Sequence, residues 1–291
     1  MIPLILALAL QAAPALPSSP DPMPAPRQPA PATPQLLPAP TADPAIVTRY
    51  RTCTEQVRGN AEAAVQTATA WRGEGGGVHA NACLGLAYAA LERWAPAATA
   101  FEQAARAAES AQDPRRADFW VQAGNAWLAA GDNAKALQAF DSALLTTTLS
   151  QELRGEVHLD RARVRVAENN AAAARTEIDR ALQLVPTDPM AWYLSAALAR
   201  RERNLARAGT DIARAREFAP DNPDVLLLAG TLAGLGGNME EAERLYRRVA
   251  EGAPDSDAGR QARESLATMR EIEVPAPAAV PTPAPPPPQP R

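Results

Sequence analysis

The sequence predicts an all-α fold assembled from repeated helix pairs. Three observations carry that reading. Between Ala45 and Val274 apolar residues recur at i, i+3, i+4 and i+7, the spacing of one face of a helix, and no stretch alternates as a strand would. The same block repeats itself: Ala174, Ala208 and Ala242 stand 34 residues apart, as do Ile178, Ile212 and Tyr246, and Pro186, Pro220 and Pro254. Proline is concentrated at the ends, with 12 of the 29 in residues 14–44, nine in 275–291 and only seven from Ala45 to Val274. The central block is therefore the folded part, large enough for a substantial core.

Residues 1–15 open with an apolar run, Leu4 to Leu10, followed by small residues including Ala13-Pro14-Ala15. The run is too short to cross a bilayer, which needs about 20 apolar residues. It has the length of a signal-peptide core, with cleavage expected near residue 13–15 and export to the periplasm. Its n-region carries no Lys or Arg. Residues 16–43 and 274–291 are rich in Pro and Ala and supply too little apolar area to offset chain entropy, so both read as solvated spacers. Residues 44–77 make one long helix or two short ones, with a possible break at Arg58-Gly59-Asn60; we expect a degenerate helical pair.

Five units follow over residues 78–256, beginning near 78, 117, 155, 189 and 223. Each carries a small residue in one column: Gly85, Gly124, Ala162, Ala196 and Gly230. A large residue stands 16 positions later: Phe101, Phe140, Ile178, Ile212 and Tyr246. The small residue lets two helix backbones approach, and the large one fills the space beside it. One pair leaves an apolar face that the next pair covers. Asp113-Pro114, Asp188-Pro189 and Asn222-Pro223 place an N-cap acceptor before a proline suited to the first helical position. Gly131 and Gly237 fall where a first helix must end. Residues 257–273, with Ala258, Ala262, Leu266 and Met269 on one face, read as a capping helix for the last unit.

This pattern resembles the tetratricopeptide repeat. The resemblance implies a right-handed α-solenoid of about five helix-turn-helix units with a C-terminal capping helix. It also implies a concave groove, lined by the first helices, that takes a peptide or partner helix. Carried over unit by unit, the second position is His79, Asp118, Glu156, Met190 and Asp224. The partner-binding residues are expected to be Gln122, Asn125, Asp160, Arg163, Tyr193 and Arg200. A centre of Asn125, Arg163 and Tyr193 suits an extended backbone with one acidic or aromatic side chain. The Lys-and-Asn carboxylate clamp of some family members is not reproduced: Val121 occupies one of its columns. Arg161 and Arg165 take columns that commonly hold apolar residues, so either their stems lie over the core edge or the helix rotates.

Chemistry is sparse. A net charge of −4 gives no field for nucleic acid or an anionic membrane. Two Cys and two His, far apart, give no motif for a metal or haem, and no cofactor is expected. The run Gly73-Glu74-Gly75-Gly76-Gly77 lacks the rest of a P-loop and reads as a turn. His158 reads as a packed or rim histidine, and His79 as exposed. Cys53 and Cys83 are either a disulfide between adjacent helices, favoured by an oxidising compartment, or two small buried hydrophobes in separate places.

The function read from this pattern is non-catalytic protein binding, by a scaffold or accessory subunit of a cell-envelope complex. The chain is expected to be a monomer with a protein or peptide partner, without nucleic acid or an integral membrane span. The alternatives are a carrier or holdase for peptides or unfolded chains, and an accessory subunit of an enzyme without an active site of its own.

Overall fold

The structure is a computed structural model that describes residues 43–147 and 149–273. The expected signal peptide, nearly all of the N-terminal spacer and the Pro-rich tail lie outside the described residues. Those residues form 13 α-helices and no strand: α1 Pro44–Gly59, α2 Ala61–Gly73, α3 Gly77–Ala90, α4 Trp94–Ser110, α5 Arg116–Ala129, α6 Asn133–Leu144, α7 Gln151–Ala167, α8 Ala171–Leu184, α9 Pro189–Arg201, α10 Leu205–Phe218, α11 Pro223–Leu235, α12 Met239–Gly252 and α13 Asp257–Glu273. None of them is long and apolar enough to cross a membrane. The fold class is the all-α repeat architecture expected from the pattern. Two compact units divide between Asp211 and Ile212, within α10.

In the first unit, Asn60 settles the form of the front segment. It ends α1, and its side chain caps α2 by accepting from the Ala63 N–H at 3.1 Å, so the segment is two helices. The run Gly73–Gly77 is the turn to α3. A disulfide joins Cys53 on α1 to Cys83 on α3, with Cα atoms 6.3 Å apart and both residues fully buried. The front pair is thus tied covalently to the first repeat.

The small-residue column works as a contact surface. A methyl group placed on Gly85 would come 2.6 Å from Cε1 of Phe101, and one on Gly124 would come 2.6 Å from Cδ1 of Phe140. Both rings are fully buried. One hydrophobic core runs from Tyr50 through Trp71, Phe101, Phe119 and Phe140 to Val157 and Val164 on α7. A second begins on the same helix at Leu159 and Ala162 and continues through Ile178 to Leu194 and Leu198. Helix α7 contributes to both cores and carries Arg161 and Arg165 in columns that elsewhere are apolar.

The turn between the two helices of each repeat needs a left-handed residue. Gly131 supplies it with φ 79°, but Glu92, Asn169 and Arg203 hold the equivalent places with φ 55°, 56° and 59°. One expected cap differs. Helix α5 starts at Arg116, not at Pro114, and Asp113 accepts from the Arg115 backbone N–H while pairing with its guanidinium. The carboxylate is drawn to a full charge two residues on, and the helix begins later. At Asp188 the expected cap forms, accepting from the Met190 N–H at 2.8 Å.

The second unit repeats the logic. Asn222 caps α11 through the Asp224 and Val225 N–H groups. A methyl group on Gly230 would come 2.9 Å from the Tyr246 ring, and the Tyr246 hydroxyl donates to Thr231 Oγ1 at 3.2 Å. Gly237, with φ 81°, makes the turn to α12. Helix α13 buries Ala258, Ala262 and Met269 and half-buries Leu266.

Candidate functional site

The site is assembled from the faces of α5 and α7, two helices that touch. On α5, Asp118, Gln122 and Asn125 are spaced i, i+4 and i+7, so they share one face. On α7 the same spacing aligns Glu156, Asp160 and Arg163. Gln122 is 9% exposed, Asn125 7% and Arg163 6%, so these polar side chains are buried rather than solvated. Arg163 pairs with the buried Asp160, three residues away. Gln122 Oε1, Asn125 Oδ1 and Arg163 Nε are nevertheless buried without a hydrogen-bond partner. Leaving such groups unmatched costs roughly 1–3 kcal/mol each, so they hold unused bonding capacity at the surface of the core. Tyr193 and Arg200 lie half-buried on α9.

Asp118 is different. It is half-buried, and among the described residues no side chain or N–H donates to it and no cation pairs with it. Burial pushes its carboxyl up to about 6, while Arg115 and Asp113 act on it in opposite directions. The Arg115 guanidinium belongs to Asp113, and its Nη2 also lies 3.3 Å from Nε2 of His79.

His79 is not the exposed residue expected. It is half-buried, edge-on to the Tyr50 ring at 5.8 Å and stacked near Trp71 at 6.4 Å. Burial, then the Arg115 charge, lowers its pKa and keeps the imidazole neutral. Helix α1 is what encloses it, because the disulfide brings Tyr50 over α3.

The tetratricopeptide-repeat profile matches residues 84–151 and 159–223. Those residues are tetratricopeptide repeats. No curated protein matches it in sequence. Among solved structures it resembles Pseudomonas aeruginosa PilF at 20% identity and TM-score 0.59, covering 76% of this chain and 97% of that one. It resembles PilW, a type IV pilus biogenesis factor, at 19% identity and TM-score 0.60, covering 76% and 99%. A tetratricopeptide-repeat protein from Parabacteroides merdae matches at 14% identity and TM-score 0.59, covering 77% and 88%. These likenesses are of fold. The fold is that of a protein–protein interaction scaffold.

Within that frame, the departures of the third tetratricopeptide repeat become a buried network. His158 Nδ1 lies 2.6 Å from Glu177 Oε2, and Arg161 donates to Glu177 Oε1 at 3.0 Å while also pairing with Asp141. Against the upward push of burial, the hydrogen bonds from His158 and Arg161 and their charge hold the Glu177 carboxyl down at about 2. Arg161 therefore buries its head, paired, in an apolar column. A second network goes beyond the sequence reading. The fully buried Ser195 donates to Asp211 at 2.5 Å and accepts from Arg175 at 2.7 Å. Its signal was present: Ser195 stands in the column that holds Leu84, Ala123 and Ala229 elsewhere. Asp118 had a place in the second-position column; its lack of a partner is visible only in three dimensions.

Proposed function

We propose that this tetratricopeptide-repeat chain is a non-catalytic scaffold or accessory subunit of a cell-envelope complex, holding an extended partner segment along the α5–α7 face. The observation that carries the reading is the set of buried, unpartnered polar groups there: Gln122 Oε1, Asn125 Oδ1 and Arg163 Nε. An extended backbone offers alternating N–H and C=O groups that would satisfy acceptors and a donor together. The envelope assignment rests on the signal-like residues 1–15 and on the Cys53–Cys83 disulfide, which suits an oxidising compartment.

The test is site-specific photo-cross-linking in the native host. A cross-linker at Leu128 on α5 is expected to trap one protein species, and one at the exposed Thr176 on α8 is expected to trap none. Trapping from Thr176 alone would reject the face. Many species trapped from Leu128 would favour the carrier alternative.

A further inference from the structure

Resting on that reading of the α5–α7 face, we propose that its partner segment is recognised by a cation, an arginine side chain whose guanidinium sits against Asp118 and extends a donor to Gln122.

The charges along the face lead there. Arg163 is matched by Asp160, and Arg115 by Asp113. Asp118 is the unmatched acid of α5: no ion pair or hydrogen bond reaches it among the described residues, although the Arg115 charge acts on it from beyond hydrogen-bond reach. The Arg163 charge, which the sequence offered to an acidic ligand, is therefore already matched within the chain, and only its Nε is left as a single donor.

Hydrogen-bonding capacity agrees. The unsatisfied atoms on the Asp118 face of α5 are the amide oxygens Gln122 Oε1 and Asn125 Oδ1, both on side chains more than nine-tenths buried. All are acceptors. A carboxylate ligand brings acceptors only, so it could meet the amide N–H groups but would leave these oxygens unsatisfied. A guanidinium brings five donors in one plane with a single positive charge. Asp118 and Gln122 are about one helical turn apart, about 6 Å along the axis, a separation a flat fork can bridge and a compact ammonium cannot. Asn125 lies a further turn along and is left for the backbone of the same segment.

The probes are blocked five-residue alanine peptides with arginine, citrulline or glutamate at the centre. They are followed by the NMR signals of the Gln122 and Asn125 side-chain amides in the full chain. Citrulline keeps the shape of arginine and removes its charge. The arginine peptide is expected to move both signals and to bind about tenfold or more tightly than the other two, as a charge-assisted bond requires. Asp118→Asn is expected to abolish that preference without lowering the melting temperature, because the variant removes a desolvated, unpaired charge. Equal binding of arginine and citrulline peptides, or a preference that survives Asp118→Asn, overturns the cation assignment. If Gln122 and Asn125 still respond in those cases, the groove reading stands. No response of either amide to any peptide overturns both.

Discussion

The pairing of Gly124 with Phe140 makes a quantitative test of how the repeat is built. A methyl group on Gly124 would lie 2.6 Å from Cδ1 and 2.9 Å from Cζ of a ring that is fully buried. Such overpacking costs ~1–3 kcal/mol. Alanine in mid-helix recovers ~1 kcal/mol over glycine. Gly124→Ala should therefore destabilise by about 0–2 kcal/mol. Phe140→Ile alone should cost ~1–3 kcal/mol for the cavity left beside a glycine. In the double variant the methyl group enters the space the ring vacated, which is the arrangement the third repeat already uses with Ala162 and Ile178. The two changes should then couple favourably by at least ~1 kcal/mol. Urea denaturation followed by circular dichroism measures it, with the slope checked for each variant because repeat arrays can lose two-state behaviour. Additivity within ~0.5 kcal/mol would show that column and ring are not one packing unit.

Other perturbations follow from the same structure. Arg163→Ala should lower stability by ~1–3 kcal/mol, because it removes a charge-assisted hydrogen bond to the buried Asp160, so groove mutagenesis is better done at Asn125. Reductant should lower the melting temperature, since releasing a 30-residue loop costs ~3–4 kcal/mol in the entropy account; an unchanged melting curve would mean that α1 is held by packing alone. Glu92→Gly and Arg203→Gly should each stabilise by ~1 kcal/mol in chemical denaturation, because both residues sit in the left-handed region that Gly131 fills without strain. Stability measured as a function of pH should respond to Glu177. Its folded carboxyl lies at about 2 against an ordinary 4.5, so its contribution of roughly 3 kcal/mol is complete above pH 4.5 and is lost as pH falls from there towards 2. Glu177→Gln should remove that acid loss.

The fold was legible because its information is periodic. Gly85, Gly124 and Gly230 recur against Phe101, Phe140 and Tyr246, and a repeated column needs no knowledge of long-range contacts. Caps were legible at Asp188 and Asn222; at Asp113 the same bond to the N–H two residues on forms, but the carboxylate also pairs with the Arg115 guanidinium and the helix starts only at Arg116. The candidate site was legible only as a set of positions. Asn125 and Arg163 were located by the repeat frame, but their burial depends on what neighbouring helices cover, and the commitment of Arg163 to Asp160 is a choice among several nearby acids. His79 turned inward because a disulfide between cysteines 30 residues apart brought Tyr50 over it.

The unmatched groups of α5 set stability against binding. A fold selected for stability alone would place apolar residues at the buried positions 122 and 125, and would give Asp118 a counter-ion or replace it. Here burial holds the Asp118 carboxyl up at about 6 against an ordinary 3.8, so ionisation at neutral pH works against the folded state. The sign is opposite to that of Glu177: protonating Asp118 adds stability as pH falls from about 6 towards 3.8. A cation bound at Asp118 would favour the ionised form and lower that pKa. A binding partner and a proton therefore compete for one carboxylate, and affinity for an arginine-bearing segment should fall as pH drops through 6 while the unliganded chain gains stability. Isothermal titration of the arginine peptide across that range measures the competition. The nearby titratable groups leave the expectation intact: Asp113, paired with Arg115, has its carboxyl held below the ordinary value, and a proton gained by His79 would add repulsion in the same direction. Affinity that held constant down to pH 4.5 would mean that Asp118 contributes nothing to recognition.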